Sequence, residues 1–197
     1  PQSMAGRNVI TEENVSARRR PGEVLPLLLI LAAAAILRLH DLGGQSLWWD
    51  EVMSWRQAKL GLAELLAATA EDNYPPLHNL ILHVFIGLFG NGEVALRLPS
   101  ALLGLANVAA LYWVGRDLGS SRAGLIAAGL LAVSGFHVWY SGEARMYALL
   151  ACAATLSAGT GLRALATCRW SWALAHVLAS TALLYSHVYG ALTWAAL

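Results

Sequence analysis

Apolar stretches separated by short polar ones set the pattern of this chain. The first, residues 24–37, is short for a bilayer span, for which about 20 residues are usual. A helix continued through Arg38, Leu39 and His40, with the arginine snorkelling to the far interface, supplies the missing length. No small-x-small cleavage pattern follows, which argues against a removed signal peptide. Four clearer spans follow at roughly 98–115, 123–140, 146–162 and 170–189, and ALTWAAL (191–197) begins another helix. The spacing Gly115 to Gly119 is a weak packing signal at a helix end.

The longest polar excursion, residues 41–74, opens with the Gly43-Gly44 turn. A helix over 51–68 mixes Val52, Met53, Trp55, Leu62, Leu65 and Leu66 with Arg56, Lys59 and Glu64, the composition of an interfacial helix. A second turn at 71–76 ends in Pro75-Pro76, which suit a helix start. Residues 77–89 are apolar but carry His78, Asn79 and His83 and stop at Gly90-Asn91-Gly92, so a re-entrant or juxtamembrane piece is expected.

Composition agrees. Of 197 residues, 57% are hydrophobic and 13% charged, against about a quarter charged in soluble domains. An all-α polytopic membrane protein follows. Residues 1–22 read as a polar cytoplasmic segment and 23–197 as a transmembrane domain, with a first extracytoplasmic loop at about 41–96. Arg18-Arg19-Arg20 abut an apolar run, which favours a cytoplasmic flank over a nucleic-acid site. Arg116 and Arg122 flank one short loop and Arg163 and Arg169 another. The positive-inside rule places both on the cytoplasmic side if 77–89 does not cross. Asp50, Glu51 and the 140–147 segment then share the outer face. Cys152 and Cys168 read as core thiols, and no metal-ligand spacing is present.

Three polar clusters could carry chemistry. Asp50 and Glu51 sit among Trp48, Trp49 and Trp55; Asp50 could be a plain helix cap, or a shielded base. His78 and Asn79 open the 77–89 helix and face the same pocket as Asp50, as a polar turn or as substrate contacts. In the third cluster, Ser141 caps a helix, Glu143 suits its first turn, and Glu143 and Tyr147 share a face at i,i+4. Arg145 and Arg97 enter apolar helices, which is costly unless they are paired or bind an anion. His187, between Tyr185 and Tyr189, reads either as a neighbour of these arginines or as a satisfied core histidine.

LWWDEVMSW, DNYPPLHNLIL, EVALRLPSALLG, YSGEARMYALL and LLYSHVYG together resemble the N-terminal part of the GT-C membrane glycosyltransferases, nearest the bacterial protein mannosyltransferase-like, family 39-like branch. The resemblance runs from about residue 25 to the end. It implies a GT-C-type helix bundle with juxtamembrane helices in its first outer loop. It also implies transfer of a hexose or pentose from a polyprenyl-phosphate carrier to a protein, glycan or lipid hydroxyl, with inversion, on the extracytoplasmic face of the cell (inner) membrane. By position it gives Asp50 the acidic acceptor-side role and makes Glu51 its companion. His78, Arg97, Glu143, Arg145, Tyr147 and His187 fall near the donor phosphate or substrate. No cofactor is expected; some relatives use a divalent cation, which no spacing here indicates. Later spans and a C-terminal domain of the family are missing, so the chain is expected to be truncated and inactive alone. The competing reading is a transporter or flippase of a lipid-linked sugar or anionic lipid, which should carry polar groups along a mid-span path.

Overall fold

The computed structural model describes residues 21–72 and 74–197; the tri-arginine at 18–20 lies outside them. The described residues are helical, with no strand among them. After a single 3₁₀ turn, the helices are α1 (Val24–Leu39), α2 (Trp49–Ala58), α3 (Leu62–Glu71), α4 (Leu77–Phe89), α5 (Glu93–Leu118), α6 (Ser121–Ala132), α7 (Gly135–Ser141), α8 (Tyr147–Thr167), α9 (Trp170–Leu184) and α10 (Tyr189–Ala195). By length and hydropathy α5 and α8 can cross a membrane, and α6 with α7 makes a third span bent by 64°. Helices α1, α4 and α9 are apolar but shorter. Helix α4 reaches only about 20 Å at 1.5 Å per residue, too little for a core of about 30 Å.

Helix α5 is the hub. On one side it packs with α1 and α6 through Ala34, Val108, Tyr112, Ala128 and Ala132. Its glycine spacing works across to α6: a Cβ on Gly115 would come within 3.0 Å of the Gly124 Cα, so the two backbones touch. On the other side α8 and α9 are held by the Trp113–Trp172 stack and the Arg163–Asp117 ion pair. A second core of Ala58, Leu82, Leu96 and Ala144 joins α2, α4, α5 and the turn after α7.

Several expectations change. The interfacial helix over 51–68 is two helices, because Gly61 is extended (ψ 155) and starts a new one. The span over 123–140 breaks at Ser134, whose hydroxyl accepts the His137 N–H at 3.4 Å and caps α7. Ser141 does not open a helix but closes α7, donating to the His137 carbonyl at 2.6 Å. Arg38 does not snorkel; it is 1% exposed and points inward. Cys152 is buried as expected, whereas Cys168 is exposed, at the left-handed residue ending α8.

Candidate functional site

Residues 142–146 form a non-helical turn, and its backbone shows why. The Ala144 N–H donates to Glu51 Oε1 (2.8 Å), and the Ala144 carbonyl accepts from His78 Nε2 (3.1 Å). The Arg145 carbonyl accepts from Ser100 Oγ (3.2 Å). Side chains from α2, α4 and α5 thus take the groups that a helix would have used itself. Glu143 is therefore not in a first helical turn and shares no helical face with Tyr147.

Asp50 and Glu51, adjacent in α2, face different surroundings. Glu51 is fully buried and accepts four hydrogen bonds, from Arg97 Nε (2.9 Å), Arg97 NH2 (2.7 Å), the Ala144 N–H and the Trp48 N–H (3.3 Å). Burial pushes its carboxyl up, but the Arg97 guanidinium and the two amides outweigh that and hold it below the usual carboxylate range. Arg97 also donates to the carbonyls of Leu42, Gln45 (both 2.8 Å) and Ser46 (3.3 Å). All five of its N–H groups are engaged by protein, so this pair locks the 42–48 segment onto α5.

Asp50 remains 38% exposed at its side chain and lines a cleft of about 260 Å³ with Tyr74, His78, Asn79, Asp72 and Arg145. Arg145 differs sharply from Arg97. Its NH1 donates to the Asp50 carbonyl (3.3 Å) and Ser54 Oγ (3.1 Å), and its NH2 comes no nearer than 3.9 Å to the Asp50 carboxylate. Its Nε–H is buried without a partner, and the guanidinium sits 5.7 Å from the Tyr74 ring centre. His78 must donate through Nε2 to reach a carbonyl, which leaves Nδ1 as a buried acceptor with no partner. Burial, with Arg145 nearby, pushes its pKa down to about 4, so the ring is neutral.

The remaining predicted residues do not line this cleft. His187 meets Tyr74 and Tyr147 at 6.0 Å between ring centres and accepts the Tyr189 N–H at Nδ1 (3.0 Å); burial and Arg145 lower its pKa. Arg97 and Glu143 do not line the cleft. With Glu51 they border a separate cavity of about 480 Å³. Glu143 accepts from Trp139 Nε1 (2.7 Å), its other oxygen is buried without a partner, and burial raises its pKa. Sequence reasoning missed Gln57, and Asp72, which opens the DNYPPLHNLIL stretch, was given no role. Gln57 donates to Asp72 and accepts from Asn79 (2.6 Å), tying three elements along one cleft wall. Among the described residues no three metal-ligating side chains converge.

The fold is that of a helical membrane protein, with a partly exposed carboxylate, an incompletely partnered arginine and a neutral histidine on one cleft. Residues 73–197, well over half of the chain, match the dolichyl-phosphate-mannose-protein mannosyltransferase family. The chain belongs to that family of membrane glycosyltransferases. The match includes His78, Arg97, Arg145 and His187 and begins after Asp50 and Glu51. No curated protein and no solved structure matches the chain.

Proposed function

We propose that the protein transfers a sugar from a polyprenyl-phosphate carrier to an acceptor hydroxyl, in the cleft between Asp50 and Arg145, on the extracytoplasmic side of the cell membrane. The acceptor O–H gives its proton to the Asp50 carboxylate while its oxygen attacks the anomeric carbon. The bond from that carbon to the phosphate oxygen breaks, and the lipid phosphate leaves with the electron pair. A single displacement inverts the anomeric centre. Phosphate is a good leaving group and needs positive charge more than a proton, which the unpartnered Nε–H of Arg145 supplies. Neutral His78 offers Nδ1 to a sugar hydroxyl, and Tyr74, Tyr147 and His187 form the aromatic wall beside it. Arg97 and Glu51 hold the frame.

The observation that carries this reading is the contrast between two buried arginines, one saturated by protein and one with donors left over. A transport path would instead leave polar groups free at mid-span. The polar side chains of α8 and α9 there bond each other, as in Ser157–Ser180 (2.8 Å) and His176 to the Ser157 carbonyl (2.9 Å). The test is Arg145→Met in membranes containing the protein, with radiolabelled polyprenyl-phosphate sugar. A charge-assisted hydrogen bond is worth about 1.5–3 kcal/mol, so the donor KM should rise about 10- to 100-fold. Unchanged donor dependence overturns the assignment.

A further inference from the structure

Two further arginines are buried among the described residues and unused by the site above; Arg163 pairs with Asp117, whereas Arg38 has no carboxylate partner. Arg38, near the end of α1, is 1% exposed and forms no ion pair with a carboxylate. Such a charge in an apolar helix is costly unless something compensates it. Its partners lie at the break between α6 and α7. Its NH1 donates to the Ala132 carbonyl (3.0 Å) and to Ala34 in its own helix (3.2 Å). Its NH2 donates to the Leu131 carbonyl (3.1 Å) and to His137 Nδ1 (2.8 Å). Leu131 and Ala132 are the last residues of α6, whose terminal carbonyls carry the negative end of the helix dipole; the Leu131 carbonyl also takes the Ser134 N–H (3.3 Å). The guanidinium answers both needs at once. It closes the end of α6, and the dipole offsets its charge.

The same fork fixes α7. Because arginine only donates, His137 accepts at Nδ1, and the neutral ring carries its proton on Nε2. Asn107 of α5 lies 3.1 Å from Nε2, so it must present its oxygen there, which gives that otherwise unpartnered atom a bond. Gly104, one turn earlier on α5, completes the joint. A Cβ there would fall 2.1 Å from Ser141 Oγ and 3.2 Å from Arg38 Nε, so only glycine lets α7 and the arginine seat this closely. Ser141 is the last residue of α7, and the turn carrying Ala144 and Arg145 begins immediately after it.

We propose that Arg38 is a positioning residue for the sugar-transfer cleft: by holding the α6–α7 bend through Leu131, Ala132 and His137, it sets where the 142–146 turn delivers Arg145. This rests on the donor-phosphate role given to Arg145 above. Arg38 touches no cleft atom; it lines the separate 480 Å³ cavity. A displacement of about 1 Å at a reacting centre costs up to about 100-fold, so small changes in the bend should be read out in donor use.

The experiment measures donor KM and kcat, per folded protein, for Arg38→Lys, Gly104→Ala, Arg145→Met and the double variant Arg38→Lys/Arg145→Met. Lysine keeps the charge, so the helices still insert, but three donors on a single nitrogen cannot reproduce the four bonds that Arg38 makes from two. Arg38→Lys should raise the donor KM about tenfold, and Gly104→Ala should do the same. In the double variant, Arg38→Lys should add less than threefold to the Arg145→Met defect, since its effect runs through that guanidinium. A helix cap with no positioning role would lower yield and thermal stability with donor KM unmoved, and that result overturns the proposal. Full additivity in the double variant overturns it as well. If Arg145→Met raises KM and the Arg38 and Gly104 variants do not, only the positioning role fails. If Arg145→Met itself leaves KM unchanged, both fall.

Discussion

Glu51→Gln isolates the framework from the chemistry. Glu51 is fully buried, and each of its oxygens accepts two hydrogen bonds: Oε1 from Arg97 Nε and Ala144, Oε2 from Arg97 NH2 and Trp48. A glutamine in this position presents its NH2 to two donors whichever way it turns. It also leaves the Arg97 charge buried with only neutral carbonyls. Breaking a buried pair from one side costs about 3–5 kcal/mol. At about 2–4 °C per kcal/mol for a chain of this length, Tm should fall by about 6–20 °C. Thermal unfolding in detergent, followed by tryptophan fluorescence, measures this. The double variant Glu51→Leu/Arg97→Met should recover little of the loss: it leaves no unpaired charge, but the Ala144 and Trp48 N–H groups and the Leu42, Gln45 and Ser46 carbonyls lose their partners. The pH dependence has a definite sign. The folded carboxyl lies below its unfolded value of about 4.3, so its stabilisation is present above that value and lost as pH falls through the folded one. The Glu51→Gln stability curve should be flatter across that window. A Tm shift under about 2 °C with unchanged pH slope would refute the reasoning.

Two other outcomes follow from the same geometry. His78 is neutral when folded, with a pKa near 4 against about 6.5 unfolded; it binds fewer protons folded than unfolded between these values, so stability falls as pH drops through them. His78→Gln should lessen that fall in pH-dependent unfolding, and an identical slope would contradict it. Cys168 is exposed in the loop assigned to the cytoplasm while Cys152 is buried. A membrane-impermeant maleimide should label Cys168 only after cells are permeabilised, and leave Cys152 unreacted; labelling in intact cells would reverse the topology.

The helical membrane fold was legible because long apolar runs leave few alternatives. Where helices stop was less so. Lys59-Leu60-Gly61 and Ser134 break expected continuous helices, and nothing in the apolar pattern distinguishes a capped break from a tolerated polar residue. At the site, Asp50, His78, Asn79 and Arg145 could be picked out as polar residues in apolar settings, and they line one cleft. The division of labour could not. Asp50 and Glu51 are neighbours in sequence, and Arg97 and Arg145 are alike in type. Only the fold shows that one of each is saturated by partners up to 93 residues away. The burial of Arg38 is hidden from the sequence for a related reason. Its partners are carbonyls at a helix break that the sequence did not announce.

In this lipid-phosphate-sugar transferase, Asp50 is assigned the proton of the acceptor hydroxyl. That role is tested most directly by Asp50→Asn, assayed for transfer from radiolabelled polyprenyl-phosphate sugar and for donor binding. General base catalysis contributes about 10²–10⁴-fold, so kcat should fall by at least about 100-fold while the donor still binds. Transfer within a few-fold of the unaltered protein would contradict the account.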